Sequence, residues 1–260
     1  MLLCGLKHQR KVNFIINQAT ILAGGRGERL RPITNNIPKP MAPIMVTPFL
    51  DYLIYSIIQS GIENILILLG YKGKIIFERY KNLKNVNIKF SFGTEFEKTG
   101  RRLLNAHSQL DENFMLLYGD NYWPIEMKKM WFNYEKLNVG ITTTVFSNKN
   151  GTGEYGFENN VIVNNDGIVI DYDKMREKDK ANGVDIGYFI VSKDILNPNI
   201  QGNVSFEVDI LPSLIAKKQL GAFVTDTQYY YITNMKSLKD FENAVQENNF
   251  LPLPEKYFGA

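Results

Sequence analysis

Two neighbouring stretches carry the groups best suited to chemistry: Gly24-Gly25-Arg26-Gly27-Glu28-Arg29-Leu30-Arg31-Pro32, and then Pro38-Lys39-Pro40-Met41. Three glycines within four positions let the backbone bring its N–H groups close to a ligand. Arg26, Arg29 and Arg31 add fixed positive charge, and guanidinium forks match phosphate oxygens in pairs. Lys39 stands between two prolines, on a stiff, extended segment that aims its charge. A polyanion fits such a place best. Further on, Asp120 follows the apolar run from Phe114 to Tyr118, at the carboxyl end of an expected strand, where open α/β folds bind their ligands. A carboxylate there suits Mg²⁺, which takes few protein oxygens and completes its shell with water and phosphate. The bland alternative is a turn aspartate favoured by Gly119.

Two well-known phosphate loops are excluded. A dinucleotide fingerprint requires a third glycine three residues after Gly27, where Leu30 stands, and Pro32 follows it. A Walker A loop requires Gly-Lys-Ser or Gly-Lys-Thr, and neither tripeptide occurs in the chain.

The elements around these groups alternate. Ala19 to Ala23 reads as a buried parallel strand. Phe49, Leu50, Leu53, Ile54, Ile57 and Ile58 recur at three-and-four spacing, the apolar stripe of a helix stopped by Gly61. Ile65 to Leu69 is a second strand, so the connection between them is a right-handed crossover in a parallel sheet. Lys74 to Tyr80 (helix), Val86 to Phe90 (strand), Arg101 to Leu110 (helix) and Phe114 to Tyr118 (strand) repeat the pattern. After Trp123 come a helix over Lys128 to Leu137, a strand over Val139 to Phe146, and antiparallel hairpins around Tyr155-Gly156 and Asp166-Gly167. Val184 to Val191, a helix with Pro212 in its first turns, Ala222 to Thr225 and a last helix over Ser237 to Glu247 finish the fold. The fold class is α/β: a doubly wound, mostly parallel, Rossmann-like sheet with an antiparallel region.

At 260 residues and 44% hydrophobic content, one large domain with a full core is expected. We divide the chain into an N-terminal extension (1–17), a core (18–225) and a C-terminal strand, helix and tail packed on it (226–260). The net charge of +3, from 30 basic and 27 acidic residues, is too balanced for a nucleic-acid partner. No apolar run is long enough to span a membrane. Met1 to Leu6 is too short for a secretion signal, and the Val12 to Ile16 patch is expected to pack on the core. Cys4, the single cysteine, fits a reducing, cytoplasmic setting. His8 and His107 read as surface groups. A homo-oligomer is left open.

The loop, its arginine and the Pro-Lys-Pro-Met segment resemble the signature of the sugar-1-phosphate nucleotidyltransferases, which join a sugar 1-phosphate to an NTP and release pyrophosphate. The resemblance covers roughly Gln18 to Gln246 and implies the fold of the nucleotide-diphospho-sugar transferases. Pro38 to Ile44 with Pro48-Phe49-Leu50 is similar to guanylyltransferases acting on heptose 1-phosphates. Thr99-Gly100-Arg101-Arg102-Leu103 with Tyr118-Gly119-Asp120 is similar to glucose-1-phosphate cytidylyltransferases, which have glycine in place of Arg101. The base is therefore guanine or cytosine, and a cation at 101 is expected to change the pocket or add a phosphate contact.

By the same resemblance, Ala23, Gly24, Gly25, Arg26 and Gly27 would cradle the nucleotide, with Thr99 and Gly100 beside it. Arg29 would hold the departing phosphates and Lys39 the reacting ones. Tyr155, Gly156, Asp185 and Glu207 would lie along the sugar, and Lys174 on its phosphate. Taken singly, Lys174 reads equally well as a solvated lysine and Glu207 as a helix cap. The family's second metal-binding aspartate falls where this chain has Tyr231, so Mg²⁺ would rest on Asp120 with Asp226 as replacement, or on Asp120 and phosphates alone. The implied role is nucleotide-sugar supply for bacterial surface-polysaccharide or capsule synthesis. Tyr231 and Arg101 also motivate an alternative, a catalytically inactive regulatory protein that binds nucleotide or sugar phosphate.

Overall fold

A computed structural model describes residues 16–177 and 180–258. Most of the proposed extension, with Cys4 and His8, lies outside the described residues; of the Val12 to Ile16 patch, Ile16 is described and is buried.

Among the described residues the main sheet has seven strands: β1 (Gln18–Ala23), β2 (Asn64–Leu69), β3 (Asn87–Phe92), β4 (Asn113–Tyr118), β5 (Ile141–Phe146), β6 (Val184–Ser192) and β7 (Leu220–Thr225). Their spatial order is β7-β5-β6-β4-β1-β2-β3. β1 pairs in parallel with β2 and β4, β2 with β3, and β5 with β7, whereas β6 runs antiparallel to both its neighbours. The sheet is thus mostly parallel, as expected. The chain first builds outward from β1 to β3, then returns to place β4 on the other side of β1. That reversal opens a crevice at the carboxyl ends of β1 and β4, where ligands bind in open α/β sheets.

Alternation along the strands explains why both faces are covered. In β2, Ile65, Ile67 and Leu69 point into one core and Leu66 and Leu68 into the other. The first face is covered by α1 (Phe49–Gln59), α2 (Gly73–Tyr80), α4 (Met127–Leu137) and α6 (Met235–Asn248). The second is covered by α3 (Thr99–Asn105) and α5 (Leu211–Ala216). α6 begins with a reciprocal cap between Asn234 and Ser237 and inserts Phe241 among Phe49, Tyr52 and Tyr122.

The departures from expectation are local. The helix expected over Arg101 to Leu110 starts at Thr99 and ends at Asn105, and a 3-10 turn over His107–Gln109 follows. There the Gln18 side chain takes the Gln109 carbonyl at 2.9 Å and the Asp111 N–H at 3.0 Å, so a tertiary contact replaces continued helix. Of the expected hairpins, Val161–Val163 pairs with Val169–Tyr172, but Tyr155-Gly156 sits in a turn closed by a single bridge between Gly153 and Gly156. α5 is preceded by a wide π turn over Phe206–Ile210, capped by Ser205.

Candidate active site

The glycine-arginine loop leaves β1 at the crevice. A Cβ on Gly24 would stand 2.3 Å from the guanidinium carbon of Arg102, so a side chain is impossible there without displacing that group. Gly27, at φ 63°, turns the loop into a 3-10 turn whose Leu30 is fully buried. The Thr34 hydroxyl donates to the Gly27 carbonyl at 2.8 Å, folding the second stretch back over the first. Lys39 therefore lies against the loop, and its Nζ reaches across to Asp120 Oδ2 at 2.6 Å. Asp120 directly follows the pairing of Gly119 N with the Leu22 carbonyl (3.0 Å), which ties the end of β4 to β1.

A cavity of about 490 Å³ opens at this point. Ala23, Gly24, Gly25, Lys39, Thr99, Asp120, Lys174 and Glu207, all singled out in the sequence, line it together. Lys174 Nζ stands 3.6 Å from Glu207 Oε1, and Glu207 Oε2 accepts from Thr99 Oγ1 (2.9 Å) and Ser205 Oγ (2.8 Å). Burial alone would push the Glu207 carboxyl up; Lys174 and the surrounding donors outweigh it and hold the group below its ordinary value. Gly100 lies under the same wall, where a Cβ would stand 2.9 Å from the Val204 carbonyl.

Other expected residues stand around the cavity rather than on its wall. Arg29 donates to Tyr155 Oη at 2.8 Å and to Glu154 Oε1 at 3.2 Å, and Arg176 lies 4.4 Å from the centre of the Tyr155 ring. Arg26 pairs with Glu95 at 3.3 Å and lies 4.9 Å from the Phe96 ring centre. The loop is thereby tied to both sides of the mouth. Gly156, at φ 62°, forms the turn after Tyr155. Asp185 accepts from Thr143 Oγ1 (2.6 Å), Gly187 N (2.9 Å) and Tyr172 Oη (2.9 Å). Its burial pushes the carboxyl up against the pull of those donors. Because all three bonds are donated to it, this position suits aspartate rather than the asparagine of the resemblance.

Two expectations are corrected. Asp226 does not join Asp120: it follows β7, three strands away from β4, roughly 14 Å at the usual spacing. There its carboxylate accepts from Ser147 and pairs with Lys149 at 3.0 Å. Nor does Arg101 enter the pocket or offer a phosphate contact. Its side chain turns outward to the carbonyls of Gly202, at 2.7 Å, and Ile200. Tyr231 is paired with Asn121, and Ile232 N donates to the Asp120 carbonyl at 3.1 Å, so this segment runs beside Asp120.

Sequence reasoning assigned no role to Arg102, which proves to be the buried centre of the crevice. It is 5% exposed and donates to the carbonyls of Leu69 (2.7 Å), Gly24 (3.1 Å) and Thr94 (2.6 Å), joining the ends of β1 and β2 to the segment after β3. Burial lowers its pKa, opposed by the nearby Glu97 carboxylate. A helical arginine carries no local signal of such a role. Tyr118 is a second omission: it lines the cavity, and burial followed by the charge of Glu207 pushes its pKa well up.

A glycine-rich crevice that sets two lysines against two carboxylates has the donors and charges to receive phosphoryl groups. The nucleotidyl transferase family matches residues 18–247, and this chain belongs to it. It is a nucleotidyltransferase. It is 27% identical over 233 residues to D-glycero-alpha-D-manno-heptose 1-phosphate guanylyltransferase of Aneurinibacillus thermoaerophilus, covering 88% of this chain and 97% of that protein. The enzyme of the same name from Campylobacter jejuni is 31% identical over 192 residues, 73% of this chain and 83% of its own. Among solved structures, HddC from Yersinia pseudotuberculosis complexed with GMP-PN superposes with a TM-score of 0.73 at 25% identity, over 88% of this chain and 99% of that one. Among the described residues, no helix is long and apolar enough to cross a membrane, and no group of three or more His, Cys, Asp or Glu side chains could hold a metal ion.

Proposed function

We propose that this enzyme joins a heptose 1-phosphate to GTP, forming a guanosine-diphosphate sugar and pyrophosphate. A phosphate oxygen of the sugar attacks the α-phosphorus of the nucleotide in line, and the bond to the bridging oxygen of the pyrophosphate breaks on the opposite side. No protein nucleophile is needed, because a phosphate monoester is already an anion at neutral pH. The protein's task is to hold two polyanions together and neutralise the charge that develops. The observation that carries this reading is one cavity with two lysines, Lys39 and Lys174, each paired across it with a carboxylate.

In this reading Lys39 exchanges Asp120 for the reacting phosphates, Lys174 exchanges Glu207 for the sugar phosphate, and Arg29 leaves Tyr155 and Glu154 for the departing pyrophosphate. Asp120 fits a hard cation: its carboxylate faces the cavity, next to space for phosphate oxygens. Mg²⁺ held there would neutralise phosphate charge. With Tyr231 beside it and Asp226 remote, Asp120 would be its one carboxylate ligand. Heptose and guanine are favoured over glucose and cytosine by the names of the two bacterial relatives.

The test is pyrophosphate release measured with Mg²⁺ across the four common NTPs and a set of hexose and heptose 1-phosphates. We expect turnover with GTP and a heptose 1-phosphate. Nucleotide-induced thermal stabilisation without turnover on any pair would replace this reading with that of a binding protein.

A further inference from the structure

We propose that Arg101 is a positioning residue for the sugar end of the cavity: it holds the arm over residues 197–204 against α3, so that the π turn after that arm keeps Glu207 in place. The proposal rests on the reading above, that Lys174 and Glu207 receive the sugar phosphate. Arginine stands here where the resemblance would place glycine.

The arm joins the 3-10 turn Lys193–Ile195, which follows β6, to Ser205 at the start of the π turn. Residues 197–199 and 201–203 are exposed, so apolar burial does little to fix their course. Hydrogen bonds do that instead. Arg101 Nε donates to the Gly202 carbonyl at 2.7 Å, its Nη2 donates to the Ile200 carbonyl, and its backbone N–H donates to the Val204 carbonyl at 2.9 Å. The carbonyls of residues 200, 202 and 204 thus converge on one residue of α3. Asn203 adds a second tie, accepting from the Lys98 N–H at 2.7 Å and donating to the Phe96 carbonyl at 2.9 Å.

The residue type matters. A guanidinium carries several N–H groups in one rigid plane, so it can serve two carbonyls of a turn at once with charge-assisted bonds. Gly202, at φ 84°, allows the turn that brings those two carbonyls to it. Lysine offers a single point of attachment on a flexible stem.

The arm runs directly into the site. Phe206 N donates to Thr99 Oγ1 at 2.9 Å, Thr99 Oγ1 donates to Glu207 Oε2 at 2.9 Å, and Ser205 Oγ donates to the same oxygen at 2.8 Å. The first turn of α3 therefore supplies both the anchor of the arm, at Arg101, and a direct partner of the carboxylate, at Thr99. Loosening the arm would let Ser205 and Glu207 drift from Thr99 and Lys174. Lys39 and Asp120 are held elsewhere, by the loop after β1 and the end of β4, and would not follow.

The experiment compares the wild type, Arg101→Ala, Arg101→Lys, Glu207→Gln and the double variant Arg101→Ala/Glu207→Gln, with GTP, Mg²⁺ and a heptose 1-phosphate as substrates and a melting curve for each. Arg101→Ala should raise the KM for the sugar phosphate by about 5- to 10-fold, with kcat and the KM for GTP changed by less than about 2-fold. Arg101→Lys, able to keep one carbonyl, should fall between. In the Glu207→Gln background the loss of Arg101 should matter little, because the residue acts through that carboxylate. Amide hydrogen exchange at Phe206 and Asp209 should quicken in Arg101→Ala while that of β1 does not. An unchanged KM for sugar phosphate in folded Arg101→Ala, an equal rise for both substrates, effects that simply multiply in the double variant, or unchanged exchange each overturns the role of Arg101. With the wild type active and Glu207→Gln impaired, any of these leaves the proposed function standing. A wild type that turns over no sugar 1-phosphate overturns both.

Discussion

Lys39 and Lys174 each meet a carboxylate across the cavity, but the two pairs are built in opposite senses. In the first, the lysine side chain is 11% exposed and its partner Asp120 35%; in the second, Lys174 is 51% exposed and Glu207 11%. Lys39 is held by its prolines and by packing on Gly27, so the cation is the fixed member. Glu207 is held by Thr99 and Ser205 on the π turn, so there the carboxylate is fixed and the lysine is free to move. A fixed cation suits charge that develops at one point in the transition state; a movable one suits closure on an arriving substrate. The two ends of the cavity are therefore suited to different work, and we propose chemistry at the first pair and capture at the second.

That division can be broken most directly at Lys39. Lys39→Ala should lower kcat by about 10²- to 10³-fold with little change in the KM for sugar phosphate. A large rise in KM with kcat preserved would show that this pair captures rather than catalyses. Lys174→Ala should do the reverse, raising the KM for sugar phosphate by about 10-fold while kcat falls less, as steady-state kinetics with varied sugar phosphate would show. The smallest effect is one of pH. Since the folded-state pKa of Glu207 lies below its ordinary 4.5, its charge contributes to stability above that value and the contribution is lost as pH falls through the lower, folded one. The difference in melting temperature between wild type and Glu207→Gln should stay constant from about pH 8 to pH 5 and shrink only in more acid solution. A difference that shrinks already near pH 6 would mean that Lys174 does not hold the carboxylate.

The first pair was legible in the sequence and the second only in part. Pro38-Lys39-Pro40 and a strand-end Asp120 are local features, because proline stiffness and strand position act over a few residues. Lys174 and Glu207 were named through a family resemblance, while their contact, across 33 residues of chain, depends on how α5 and the Val161–Tyr172 ribbon pack. Asp226 misled for the same reason: it follows a strand, as Asp120 does, but strand order sets it at the far edge of the sheet. Arg101 and Arg102 are neighbours with the same side chain, yet one turns outward to Gly202 and the other is buried beneath Gly24.

By itself the sequence determined the alternation of strands and helices, the glycine-arginine turn after β1 and the lysine and aspartate beside it, since each follows from periodicity or from backbone restraint over short range. The tertiary structure decided which charges meet. It placed Arg102 at the centre and separated Asp226 from Asp120, because side-chain burial and partnership depend on strand order and helix packing between residues far apart in the chain.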